Sequence, residues 1–110
     1  MNLDDYQQAA RKTAIYAGAG DGDWTYPALG LGSETGEVLS VLAKVVRDDA
    51  GEISSEARTK LTYELGDVLW CLSALASELG LYLSDIAELN LQKLDDRRAR
   101  GKLGGSGDGR

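Results

Sequence analysis

A nine-residue segment occurs twice in this chain, and the repeat limits the possible fold more than any other feature. Leu31-Gly32-Ser33-Glu34-Thr35-Gly36-Glu37-Val38-Leu39 aligns without gaps on Leu61-Thr62-Tyr63-Glu64-Leu65-Gly66-Asp67-Val68-Leu69, thirty residues later; five of nine positions are identical and Glu37 is exchanged for Asp67. A solenoid needs roughly three or more stacked units, so two copies predict something smaller. They predict two equivalent helices packed about a local pseudo-twofold axis, each supplying the same chemistry from its own side. At 110 residues the chain is long enough for one domain with a real core and too short for two.

Gly, Pro and charge clusters divide the sequence into four helical segments. The first runs from about residue 3 to 17 and closes at the loop Gly18 to Asp23. A second, from about 27 to 47, has Thr25 as its N-cap candidate and Pro27 in its first turn, and ends at Asp48-Asp49-Ala50-Gly51. Ser54 opens the third, from about 55 to 79, and Gly80 ends it; the fourth spans about 84 to 98. No period-two alternation is left over for a sheet. The predicted fold is all-α and four-helix bundle-like, with a helical domain over residues 1–100 and a basic, Gly-rich tail over 101–110.

The chemistry follows from where the acids fall at about 100° per residue. Leu31, Val38, Leu42 and Val45 define an apolar stripe on the second helix, with Glu34 inside it and Glu37 on its margin. Leu61, Leu65, Val68, Leu72 and Leu79 make the matching stripe on the third, and Glu64 and Asp67 take the same places against it. Carboxylates aimed at a core must find a cation or lose their charge, because an unpaired buried charge costs several kcal/mol. The chain has no histidine, which excludes His-based acid–base catalysis, His-activated nucleophiles and His-ligated zinc. A site built from oxygens alone suits hard ions such as Mg²⁺ or Mn²⁺, and a helical di-iron centre would need Glu-x-x-His motifs. Gly36 and Gly66 point the same way: each costs roughly 0.5–1 kcal/mol in a helix interior, which the close approach of a ligand or a neighbouring helix would explain.

Charge distribution sharpens this reading. Residues 1–89 carry six basic and fifteen acidic side chains, a balance of −9, whereas 90–110 carry six basic and three acidic, a balance of +3. An acidic body with a sequence pI near 4.5 is not a nucleic-acid-binding surface. The single cysteine, Cys71, sits in an apolar stretch, is read as a buried small hydrophobe, and places the chain in a reducing compartment. With no leader-like N-terminus and no apolar stretch of spanning length, a cytoplasmic protein without membrane partners is expected.

At Glu34, Glu37, Glu64 and Asp67 the sequence resembles the MazG-type all-α nucleotide pyrophosphohydrolases, whose pattern is Glu-Glu-x-x-Glu followed by Glu-x-x-Asp some two dozen residues later. The similarity extends to Asn90, Lys93, Leu94 and Arg97 and to the tail Gly101 to Arg110. One departure stands out: the first glutamate of the family's pair is Ser33 here, so no general-base or third-metal role carries over to that position. The resemblance implies Mg²⁺-dependent hydrolysis, with Mn²⁺ as a substitute, of a (deoxy)nucleoside triphosphate to the monophosphate and pyrophosphate. Two or more ions held by the four acids would clamp the triphosphate and activate water at neutral pH. Purine, pyrimidine and phosphoribosyl-ATP hydrolases all occur in the family, and no residue chooses among them.

Lys93 and Arg97, one turn apart, are candidates for the outer phosphates, with Asn90 beside them and Lys44 a weaker candidate. Trp24 and Tyr26, at the entrance of the second helix, are candidates for stacking on a base. The tail, with five glycines among its ten residues, cannot bury a core and is disordered by default; Lys102 and Arg110 could let it close over nucleotide as a lid. Trp70, Cys71 and Ala74 make the third helix apolar nearly all round, so a homodimer or a dimer-based homotetramer is expected. Two other readings stand beside the hydrolase: a helical interaction module whose acids bind a structural ion or a basic partner, and a hydrolase of a non-nucleotide phosphoanhydride.

Overall fold

The computed structural model describes residues 1–110, and all of its regular structure is helical: α1 (Leu3–Arg11), α2 (Thr25–Asp48), α3 (Ser55–Glu78) and α4 (Leu83–Ala99). Of the predicted boundaries, Ser54 and Gly80 have the chemistry expected of them and Thr25 does not; the first helix has an unpredicted cap. Asn2 caps α1 in a reciprocal box with Asp5. The Ser54 hydroxyl accepts the Ala57 amide at 3.1 Å to open α3. Gly80, at φ +72°, terminates that helix. Thr25, the expected cap of α2, is instead its first residue; Trp24 holds the cap position without a side-chain bond, and Asp23 accepts the Thr25 amide at 3.0 Å.

The first helix is shorter than its pattern implies. Lys12, Thr13 and Ala14 turn back with tight bonds to Ala9, Ala10 and Arg11. The Thr13 hydroxyl donates to the Ala10 carbonyl at 2.8 Å and accepts the Trp70 indole N–H at 2.8 Å. Residues 12–23 are thereby drawn toward α3 instead of extending α1; tertiary contacts override a modest local helix propensity.

Helices α2 and α3, joined by a short loop, form the main packing unit, and α1 lies against both α3 and α4. The buried face of α3 is built from small side chains, Cys71, Ser73, Ala74 and Ala76, and not from the leucine stripe. Small residues let neighbouring helices come close: a Cβ on Gly30 would stand 3.0 Å from the Cys71 sulfur. Leu65, expected in the core, is 55% exposed, and Leu72 and Leu79 also face outward. Helix α4 packs chiefly on α1, so the four helices do not close into a single bundle. The radius of gyration, 16.8 Å, exceeds the roughly 13 Å of a compact domain of this size. Gln7 on α1 ties the open arrangement together. Its buried amide donates to the Ser77 hydroxyl and the Leu81 carbonyl, and its carbonyl accepts the Leu83 amide at 2.8 Å, satisfying the start of α4.

Candidate metal centre

The α2–α3 pair brings Glu34, Glu64 and Asp67 to one spot, with ligand oxygens all within 4.8 Å of one another. Glu34 and Glu64 are half-buried and Asp67 is exposed, so the group opens to solvent on one side. None of the chain's ion pairs involves these residues. Burial, followed by the charges of Asp67, Glu64 and Glu37, pushes the Glu34 carboxyl above its usual range. Three acceptor groups without a donor or a cation form an arrangement that a divalent ion would complete. Their all-oxygen composition fits a hard ion such as Mg²⁺.

Glu37, the fourth expected ligand, lies exposed on α2 and outside this group, although its charge still acts on Glu34. Glu34 and Glu64 hold the half-buried positions of the two repeats and both second acids, Glu37 and Asp67, lie toward solvent, yet only Asp67 reaches the group. A Cβ on Gly36 or Gly66 would meet nothing within 4 Å. The expected close approach of a neighbouring helix therefore does not occur at either glycine. It occurs at Gly30, and the space beside the acids is open. Beneath the trio lies Cys71, buried, its thiol pushed up by burial and by Glu34 and Asp67; the protonated thiol behaves as a core hydrophobe.

The other candidates separate into distinct neighbourhoods. Tyr26 stacks on Tyr16 with ring centroids 5.4 Å apart, and Tyr16 meets Trp70 edge-on at 6.1 Å. Trp70 is one turn from Asp67 on α3, and with Tyr16 and Tyr26 it lines a shallow cleft that also holds Thr13 and Ile15. Trp24 stands exposed at the start of α2 and belongs to neither aromatic pair. Lys44 sits at the opposite end of the hairpin, in a cleft shared with Val41, Asp48, Ser54 and Lys60. Asn90 is exposed on α4.

Lys93 and Arg97 form a basic corner on α4 that no ion pair links to the acid trio, and both are engaged by the tail. Asp108 Oδ1 lies 3.1 Å from Lys93 Nζ and 3.1 Å from Arg97 Nη2, and Arg97 also donates to the Asp108 carbonyl at 2.8 Å. These cations hold the Asp108 carboxyl below its usual range. Residues 101–110, expected to be disordered, are folded back on α4 instead. Arg110 is turned inward: its guanidinium donates to the carbonyls of Leu103, Gly104 and Gly107. The exposed Lys102 keeps its side chain free while its amide bonds the Arg97 carbonyl at 2.6 Å.

Sequence reasoning missed the most strongly held carboxylate in the molecule, Glu78. Its side chain is 1% exposed and accepts bonds from the Tyr16 hydroxyl, from Arg11 at 2.8 Å and from the amides of Gly20 and Gly22. The Tyr16 bond, with help from Gly20 and Arg11, pulls its carboxyl down to about 2 against the opposing effect of burial. One signal was present: a lone acid directly after the uncharged run Ala74-Leu75-Ala76-Ser77, with a loop of alternating glycines upstream. Asp108 had a weaker one, as the single acid among residues 101–110.

Residues 27–101 match the MazG nucleotide pyrophosphohydrolase domain, and the chain belongs to that family. The matched span contains the acid trio, Glu37, Glu78 and the Lys93–Arg97 corner; α1 and Asp108 lie outside it. The chain is also similar to the Gene 37 protein of Mycobacterium phage L5, at 46% identity over 114 aligned positions that cover the whole of both chains. No solved structure matches it.

Proposed function

We propose that this protein hydrolyses (deoxy)nucleoside triphosphates to the nucleoside monophosphate and pyrophosphate, with Mg²⁺ held by Glu34, Glu64 and Asp67 and with Glu37 as a further donor. The observation that carries the proposal is the convergence of three donor-free carboxylates from two repeats in a chain of the MazG family. Magnesium bound there would neutralise the triphosphate and polarise it toward attack by water. The remaining tasks belong to the chain's own groups. The repeated helices fix the carboxylates on a rigid pair, so that little reorganisation accompanies substrate binding. Lys93 and Arg97, with Asn90 a turn earlier, take the outer phosphates and the leaving pyrophosphate. The aromatic face of Tyr16, Tyr26 and Trp70 offers a flat surface to a base.

Two further assignments complete the proposal. The outward-facing Leu39, Leu65, Leu69 and Leu89 are covered by a second copy of the chain, giving a homodimer or a dimer-based tetramer; light scattering tests this separately. No helix is long and apolar enough to cross a membrane, and the protein is assigned to the cytoplasm, where its single thiol stays reduced.

Pyrophosphate release from a panel of ribo- and deoxyribonucleoside triphosphates, with and without Mg²⁺, tests the reaction. Stoichiometric monophosphate and pyrophosphate in the presence of metal supports it and identifies the preferred base. Turnover confined to inorganic polyphosphate would transfer the activity to a non-nucleotide phosphoanhydride. Absence of turnover with every triphosphate would refute it.

A further inference from the structure

We infer that Asp108 is an internal stand-in for a substrate phosphate: in the free chain its carboxylate occupies the Lys93–Arg97 cation pair, and an incoming triphosphate must displace it. The inference rests on the assignment of those two cations to phosphate contacts. It adds a built-in competitor to the site.

Arg97 is only 4% exposed, yet its one ion pair is to Asp108, a side chain that is itself 84% exposed. A single carboxylate oxygen shared between an ammonium and a guanidinium, each at 3.1 Å, has the arrangement in which such a pair holds a phosphate oxygen. Asp108 is the one acid in an otherwise basic tail. The rest of the tail is held by its own bonds and by backbone contacts to the end of α4, and no other tail side chain reaches the two cations. Arg110 gathers the carbonyls of Leu103, Gly104 and Gly107, and the Arg100 guanidinium holds the Arg110 carbonyl at 2.7 Å. Residues 103–110 therefore carry the carboxylate as a preformed loop, joined to α4 through Gly101 at φ +68° and held on it by the bonds from Arg97 to the Asp108 carbonyl and from Arg100 to the Arg110 carbonyl. A singly charged carboxylate yields to a polyphosphate that brings several charges. It competes more evenly with a free monoanion, so the latch favours triphosphate over small anions at the same cations.

The test is calorimetric titration of the full-length chain with inorganic tripolyphosphate in Mg²⁺-free buffer, using wild type, Asp108→Asn, Lys93→Gln and the double variant. With the latch weakened, Asp108→Asn should bind about three- to tenfold more tightly than wild type, because affinity is no longer divided by the fraction of open molecules. Its melting temperature should fall by no more than a few degrees, since Arg97 keeps its bond to the Asp108 backbone carbonyl when the carboxylate charge is removed. Lys93→Gln should bind more weakly, and the Asp108→Asn gain should shrink in its background. Equal or weaker binding by Asp108→Asn, with Lys93→Gln still impaired, would overturn the latch and make Asp108 a positioning residue for the cations. Unimpaired binding by Lys93→Gln would overturn the phosphate assignment itself, and no binding to any of the four proteins would do the same.

Discussion

Helix α3 carries acids in two opposite environments about three to four turns apart: Glu78 near its end, and Glu64 with Asp67, which face Glu34 of α2. Glu78 is buried among a hydroxyl, a guanidinium and two backbone amides, and its carboxyl falls to about 2. Glu64 and Asp67 meet Glu34 with no donor among them, and Glu34 is raised. The first arrangement is complete: every lone pair has a use, and the result is a loop pinned to a helix. The second is electrostatically unfinished and leaves a place for a cation. Depth alone does not distinguish structural from functional acids here, because the better-buried acid is the structural one. What separates them is whether the chain itself supplies the donors.

The comparison is broken most forcefully at Glu78. Replacing it with alanine strands Arg11 and two loop amides, and should cost about 3 kcal/mol. A melting temperature lowered by roughly 10 °C or more would report this in a scan. Turnover per folded molecule, measured well below that temperature, should change far less. The effect also has a pH signature. Because the folded-state carboxyl lies below its ordinary value of 4.5, the stabilisation is complete above pH 4.5 and is lost as pH falls toward 2. Urea unfolding of wild type should weaken over that window, while Glu78→Gln follows a flatter course. Glu34 has the opposite sign: its carboxyl is raised by burial and by the neighbouring acids, so its charge weakens the metal-free fold at neutral pH and that penalty relaxes as pH falls.

Glu64→Gln strikes the other group. It preserves volume and removes a charge, so turnover should fall at least about a hundredfold, a loss of ~2.7 kcal/mol in transition-state stabilisation, with helicity unchanged by circular dichroism. Near wild-type activity at saturating Mg²⁺ would remove Glu64 from the site. In the intact protein, excess Mg²⁺ should raise the melting temperature relative to chelator at matched ionic strength, through preferential binding to the native state. Superimposable curves would mean that the free protein holds no ion there.

Gly66→Ala is the smallest test. A methyl group there meets nothing within 4 Å, so without ligand it should stabilise α3 by about 0.5–1 kcal/mol. If substrate approaches the helix at this glycine, KM should rise in the same variant. Stabilisation without any kinetic change would leave the glycine unexplained.

These contrasts also show what could be read in advance. The helices α2, α3 and α4 and the cap at Ser54 were legible because amphipathic period and capping chemistry are local properties. Glu34, Glu64 and Asp67 were legible because the repeat fixes their angular positions twice. The pattern misled where packing is decided by close approach: α3 buries its small side chains and leaves Leu65 and Leu79 outside, an inversion that a stripe of leucines cannot reveal. Glu37 shares Asp67's marginal position in the repeat but stands outside the trio's cluster, because angular margin does not fix distance across two helices. The early end of α1, the Glu78 hub and the Asp108 contact all depend on residues 56 to 67, or 11 to 15, positions apart, and partners at such separations are not set by local pattern.

The most direct measurement is a Mn²⁺ titration followed by the ion's electron paramagnetic resonance signal, on wild type, Glu64→Gln and Glu78→Gln, each below its melting temperature. Saturable binding by wild type that is lost in Glu64→Gln and kept in Glu78→Gln is the predicted result, since only the group lacking its own donors needs the ion. Binding that survives Glu64→Gln, or that is absent from wild type, would contradict the assignment of Glu34, Glu64 and Asp67 as the metal centre.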